Sequence, residues 1–274
     1  MKRNCRFDTH VHTTFSPDGR SDFYDYARRV DEGGADGIGF TEHYEFWPGS
    51  DACGYFQEAD YQAVVTGWQV RGYRFFAGVE VDWMPQYAAT IREKLAEHRF
   101  DYRIGSVHNL PSASVSGLDT SAFEGDAGFD RVITEYNDAV TSSLAVAEFD
   151  VVGHPGVFLR HFGAPFFEGR PWAGRLKEME DDLAQKVAKS GKLLEVNTSG
   201  FFTARGAPCA GPFFLERYRT HGGTRITMAS DAHEAAHLRR GFGQAGELLA
   251  SLGFDEVWLP WDQDHPIPLA DFVG

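Results

Sequence analysis

Seven short apolar runs recur along this chain, all carry histidine or acidic side chains, and five of them end in histidine. The runs are residues 5–12, 35–43, 74–83, 101–108, 149–154, 192–199 and 224–233, with a weaker eighth at 256–261. The first ends in His10-Val11-His12 and the second in His43. The third carries Glu80, the fourth ends in His108, the fifth in His154 and the seventh in Asp231-Ala232-His233. Helix-like segments at 22–32, 86–98, 131–147, 176–189, 213–220 and 243–251 lie between them, the first behind Ser21 as expected N-cap. Parallel strands need helical crossovers, so this alternation implies an α/β fold with a parallel sheet. Seven such units suggest a closed or nearly closed barrel, with an open doubly wound sheet as the alternative. In a parallel barrel the C-terminal strand ends meet at one mouth, where active-site residues sit.

Residue spacing sharpens that expectation. His10 and His12 are two apart in a strand, so both side chains point to one face and can grip one ion. Asp231 and His233 repeat the spacing with one carboxylate and one imidazole. Asp18 follows in a turn from which its carboxylate can reach back to the mouth. Glu80 sits in the β-branched run Val79-Glu80-Val81-Asp82, where an unpaired buried charge costs several kcal/mol. Asp82 shares its side-chain direction and is the rival for its role. His98, His161, His221, His237 and His265 fall in helices or loops and read as structural or solvated, with His161 the closest to being an exception. Six histidines and three carboxylates are nine candidate ligands, more than one ion or even two usually takes from protein. Three divalent ions fit the count, and after Asp18, Glu80 and Asp231 are subtracted they leave a net charge of about +3 with neutral histidines. That suits a phosphomonoester dianion and a hydroxide.

Composition narrows the classes further. With 26 Lys and Arg against 40 Asp and Glu the formal net charge is −14. A chain this acidic is not expected to bind nucleic acid or an anionic membrane through a basic surface. No apolar run is long enough to span a bilayer, and residues 1–4 meet a strand-like segment without the apolar stretch of a signal peptide. Three cysteines (Cys5, Cys53, Cys209) at no ligand-like spacing fit a reducing, cytoplasmic setting. One domain over 1–274 is expected, with a lid-like insertion over the mouth at about 44–67. Glu45 and Trp47 in that insertion are candidates to line the pocket. Oligomeric state is not legible.

The residues also match a known pattern. Asp8-Thr9-His10-Val11-His12-Thr13, Thr41-Glu42-His43, Gly78-Val79-Glu80-Val81-Asp82, Ile104-Gly105-Ser106-Val107-His108, Val152-Gly153-His154-Pro155, Leu194-Glu195-Val196-Asn197-Thr198-Ser199-Gly200 and Ala229-Ser230-Asp231-Ala232-His233 follow in order. Together they resemble the polymerase-and-histidinol-phosphatase (PHP) family, most closely its monofunctional histidinol-phosphatase branch. The resemblance implies a distorted (β/α)7 TIM-like barrel with a trinuclear zinc, manganese or iron site. It assigns His10, His12, Glu80 and Asp231 to one ion, and Glu80, His108 and His154 to a second. Asp18, His43 and His233 go to the third, and Glu80 is preferred over Asp82. It also implies that arginine from the loop after the fifth strand grips phosphate, a place that Arg160 fills. A further arginine is expected directly after the Asn-Thr-Ser-Gly motif. Phe201-Phe202 stand there instead, and Arg205 is the nearest candidate.

The reaction this implies is metal-assisted hydrolysis of a small phosphomonoester, L-histidinol phosphate foremost. A hydroxide shared by two ions would attack phosphorus, and Asp231 or His233 would carry the proton. A PHP phosphoesterase of another specificity is the alternative. An amidohydrolase-type barrel also opens on H-x-H, but commonly uses a lysine on strand four, and residues 101–108 contain none. A catalytically dead metal-storage or regulatory protein is disfavoured by the full ligand set.

Overall fold

The computed structural model describes residues 5–117 and 125–274; the leader reading of residues 1–4 falls outside them. The chain starts β1 (Phe7–Val11), α1 (Phe23–Asp31), β2 (Gly37–Tyr44), α2 (Glu58–Val70), β3 (Phe75–Asp82), α3 (Ala88–Glu97), β4 (Tyr102–Ser106) and α4 (Gly125–Ser143). It continues β5 (Val151–Val152), α5 (Ala173–Ser190), β6 (Leu193–Asn197), α6 (Pro212–Thr220), β7 (Ile226–Ala229) and α7 (Phe242–Ser251). A hairpin, β8 (Glu256–Leu259) with β9 (Asp262–Pro268), and α8 (Leu269–Val273) follow. Strands β1 to β7 form one parallel sheet in chain order, each joined to the next by a helical crossover.

The sheet curls until its edges meet. His12 N donates to Ala232 O at 2.8 Å and Asp231 N to His10 O at 3.0 Å, so β1 touches the end of β7. The buried Tyr26 hydroxyl lies 2.9 Å from His12 O and 3.1 Å from Ala232 O and ties that seam from outside. This is a nearly closed seven-stranded barrel, and the open doubly wound alternative is excluded. The eighth run forms no barrel strand. It pairs antiparallel with β9, and Trp261 at their turn caps the N-terminal end of the barrel. The Trp261 ring stacks on Phe76 at 3.9 Å, meets Phe7 edge to face and packs tilted against Tyr102. Gly39 makes room there, since a Cβ would fall 2.1 Å from the Tyr102 hydroxyl oxygen.

Two expectations are corrected. The N-cap of α1 is Asp22, whose side chain accepts from Tyr24 N and Asp25 N; Ser21 instead accepts from Ala235 N across the seam. The segment 44–67 is not one insertion. Its second half is α2, the ordinary crossover from β2 to β3, which buries Tyr61, Val65 and Trp68 at helical spacing. Each such burial stabilises by roughly 1.5–3 kcal/mol. Only 45–57 remains as loop, and part of it does stand over the mouth.

Candidate metal centre

Each strand delivers its side chain for a local reason. β1 alternates, so His10 and His12 both face the barrel interior, fully buried, with their Nε2 atoms 3.0 Å apart. His43 on β2 is in register with Glu80 on β3. His154 and Asp231 lie just past β5 and β7 with φ of 22° and 54°. Such angles cost an L residue of order 1–3 kcal/mol and recur at functional sites. Asp18 reaches the mouth because the next residue is glycine: a Cβ on Gly19 would lie 1.8 Å from Thr13 O. At the rim, Asp18 Oδ2 stands 3.1 Å from His233 Nε2 and its Oδ1 3.5 Å from His43 Nε2.

Glu80 is the hub. Its Oε1 lies 2.7 Å from His154 Nε2 and 3.1 Å from His108 Nε2, and those two nitrogens are 3.2 Å apart. Its Oε2 lies 2.9 Å from His43 Nδ1, 3.4 Å from His10 Nε2 and 3.5 Å from His12 Nε2. Asp231 Oδ1 is 3.2 Å from His12 Nε2. Oε2 of Glu80, though buried, accepts no well-formed hydrogen bond. Among the described residues, four sets of three side chains have donor atoms close enough to hold an ion: His10, His12 and Asp231; Glu80, His108 and His154; His12, His43 and His233; His43, Glu45 and His108. The structure thus brings all nine expected ligand side chains to one mouth.

The electrostatics show a site short of positive charge. Burial opposes charge on His10, yet Glu195, Glu80 and Asp231 outweigh it and hold its pKa well above the ordinary value. His43 is pushed up to about 10 against burial by Asp18 and Glu80. His12 falls to about 3 through burial and its neighbours His43 and His233. Glu80 and Asp231 are held well below the usual carboxylate range despite burial, chiefly by His108 and His10 respectively. Convergent lone pairs, an orphaned buried carboxylate oxygen and imidazoles bidding for protons are what a cation would satisfy, so the donor set fits divalent metal.

Outer partners fix the rings. His10 Nδ1 contacts Glu195 Oε1 at 2.7 Å, and Glu195 Oε2 accepts from His154 N at 2.7 Å. His12 Nδ1 contacts Ser16 Oγ at 3.3 Å, and that hydroxyl donates to Glu42. Asp82 does not compete with Glu80: burial raises it to about 6, and it accepts from His108 N and Asn109 Nδ2. Sequence reasoning quoted Glu195 and Glu42 but gave them no role. The signal was available, because both acids lie in strands among apolar residues, as Glu80 does.

A cavity of about 510 Å³ opens over the cluster. Arg160 lines it, its Nη2 held by Ser116 O at 2.6 Å, and Trp47, Ser50 and Asp51 line it from the loop after β2. Arg205 does not line it. Its guanidinium carbon sits 5.1 Å from the Phe167 ring centre, because the turn Thr198–Phe202 packs Phe201 into the core and carries Arg205 aside. His161 also stands outside the lining.

A nearly closed parallel barrel with a ligand-rich centre at the C-terminal strand ends defines a class of α/β barrel proteins. The sequence profile of the PHP domain matches residues 8–199, well over half of the 274 residues, and the chain belongs to this family. A Thermotoga maritima protein named "Probable histidinol-phosphatase" is 26% identical over 256 residues, covering 90% of this chain and 93% of that one. The Lactococcus lactis histidinol-phosphatase is 23% identical over 266 residues, covering 92% and 93%. A crystal structure of the Lactococcus lactis histidinol phosphate phosphatase, complexed with zinc, L-histidinol and phosphate, superposes with a TM-score of 0.76. It covers 95% of this chain and 99% of that one at 20% identity, a likeness that shows the fold.

Proposed function

We propose that this chain is a metal-dependent phosphomonoesterase that hydrolyses L-histidinol phosphate to L-histidinol and phosphate. The observation that carries the reading is the convergence of the nine expected ligand side chains beneath one cavity whose wall holds Arg160. Family membership and the names of the relatives support it. In this reading three divalent ions (zinc, manganese or iron) are held as the resemblance assigns them, with Glu80 shared between two. Bound there, they supply a water acidic enough to attack at neutral pH and positive charge for the phosphoryl oxygens.

The chain's own groups do the rest. Arg160, anchored through one nitrogen by Ser116 O, offers its remaining N–H groups to a phosphoryl oxygen. The Nδ1 of His233 is engaged by Asp231 O at 2.9 Å, which leaves its Nε2 facing the rim. With His233 Nε2 and Asp231 Oδ1 given to ions, the atom left to pass the proton to the leaving alkoxide is Asp231 Oδ2, which Asn197 Nδ2 meets at 3.2 Å. Trp47 and Asp51 face the alcohol portion of the substrate, and an acid beside an aromatic ring suits an organic cation. No side chain is needed as nucleophile, and a trapped phosphoenzyme would overturn the mechanism.

One observation favours another phosphomonoester. Phe201-Phe202 stand where the resemblance expects an arginine, Phe202 with its ring centre 3.5 Å from the Arg240 guanidinium carbon. A panel of phosphomonoesters and phosphodiesters decides. Histidinol phosphate should lead by kcat/KM, and a different leader, or no turnover of any phosphoester by metal-loaded protein, sinks the assignment.

A further inference from the structure

We propose that Glu45 is a positioning residue of the metal centre: it holds the ring of His108 with Nε2 towards Glu80 and pins the cavity-facing loop to that ring. The proposal rests on the metal reading above. Glu45 is the first residue after β2 and is buried, so its charge demands partners. Its Oε1 lies 3.0 Å from His108 Nδ1. A neutral imidazole that donates from Nδ1 has its lone pair on Nε2, and Nε2 of His108 is the atom 3.1 Å from Glu80 and 3.2 Å from His154. Glu45 therefore stands behind the ring, away from the ligand side, even though its oxygens come within ligand distance of His43 and His108.

The other oxygen closes a ring of contacts. Oε2 accepts from Asn109 Nδ2 at 3.2 Å, the same nitrogen donates to Asp82 Oδ2 at 2.8 Å, and Asp82 Oδ1 accepts from His108 N at 2.8 Å. Side chain and backbone of His108 are thus gripped by one network whose members come from β2, β3 and the segment after β4. The backbone of Glu45 also pairs with that of Cys53 in a parallel bridge, so the carboxylate is anchored at the foot of the turn bearing Trp47, Ser50 and Asp51. Partners that orient a metal-ligating histidine through its far nitrogen typically contribute 10–100-fold in metal affinity or activity.

The test is a titration of Mn²⁺ into chelator-stripped full-length protein, followed by calorimetry and by the electron paramagnetic resonance of free Mn²⁺. Glu45→Ala should weaken one class of site by about 10–100-fold and leave the others within about twofold. Glu45→Gln keeps an acceptor for His108 Nδ1–H and should lose less than Glu45→Ala. Circular dichroism of the stripped variants should match that of the stripped wild type. If both variants fold and bind Mn²⁺ as the wild type does at every site, Glu45 merely packs the loop and the proposal is overturned. A stripped wild type that takes up no Mn²⁺ overturns the metal reading itself, and this proposal with it.

Discussion

Glu195 Oε1 and His10 Nδ1 stand 2.7 Å apart, both side chains fully buried, on strands β6 and β1 that lie on opposite sides of the barrel seam. The carboxylate reaches past β7 to hold a ring whose other nitrogen faces Glu80. Substituting Glu195→Gln keeps the shape and removes the charge. It should lower metal affinity or kcat by about 10–100-fold while the fold survives. Unchanged metal binding and unchanged kcat would show that the contact is packing alone.

His108, an expected ligand, has Nδ1 against Glu45 and Nε2 against Glu80. His108→Ala should cost more than the roughly 10–100-fold that loss of an outer partner brings. It should also reduce the metal bound per chain, measured by inductively coupled plasma mass spectrometry. Near-wild-type turnover in a metal-replete sample would remove His108 from the centre.

Arg160 and Arg205 separate cleanly. Truncating Arg160→Met should lower kcat/KM by about 10²–10³-fold, the loss typical of a donor aimed at transition-state charge. Arg205→Met should leave kcat/KM within about twofold, because its guanidinium lies over Phe167 rather than in the cavity. Equal losses in steady-state assays of the two variants would return Arg205 to the substrate site.

A pH effect on stability is expected far from the mouth. Burial raises Glu180 on α5 to about 7, against Arg205 and Lys177. The folded chain therefore holds that proton more tightly than the unfolded chain. Stability contributed by the neutral form is present below the ordinary value of 4.5 and is lost as pH rises through about 7. Glu180→Gln should raise Tm at pH 8 and change it little at pH 4.5. Parallel melting curves at the two pH values would refute the assignment.

The barrel and its mouth were legible because strand-end histidines and a charged residue in an apolar run are costly unless they share a purpose. His10, His12, Glu80 and His154 announce themselves by position alone. The crossover α2 was not legible: Gly54, Gly67 and a density of aromatics mask the Tyr61–Val65–Trp68 stripe, which only packing against the sheet reveals. The hairpin β8–β9 was half seen, since Asp262, Asp264 and His265 make β9 read as loop. The sequence marks Glu45 only as a candidate for the pocket wall; its bond to Asn109 becomes visible in three dimensions, because it joins segments 64 residues apart.

The Trp261 cap at the base of the barrel has a consequence for traffic. With that end stoppered by stacked rings, the cavity on the opposite side is the doorway among the described residues, and the phosphoester and products of the proposed reaction share it. On the proposed reaction the alcohol lies outermost and departs first, and inorganic phosphate, lodged deepest, is the last to exit and blocks the next arrival.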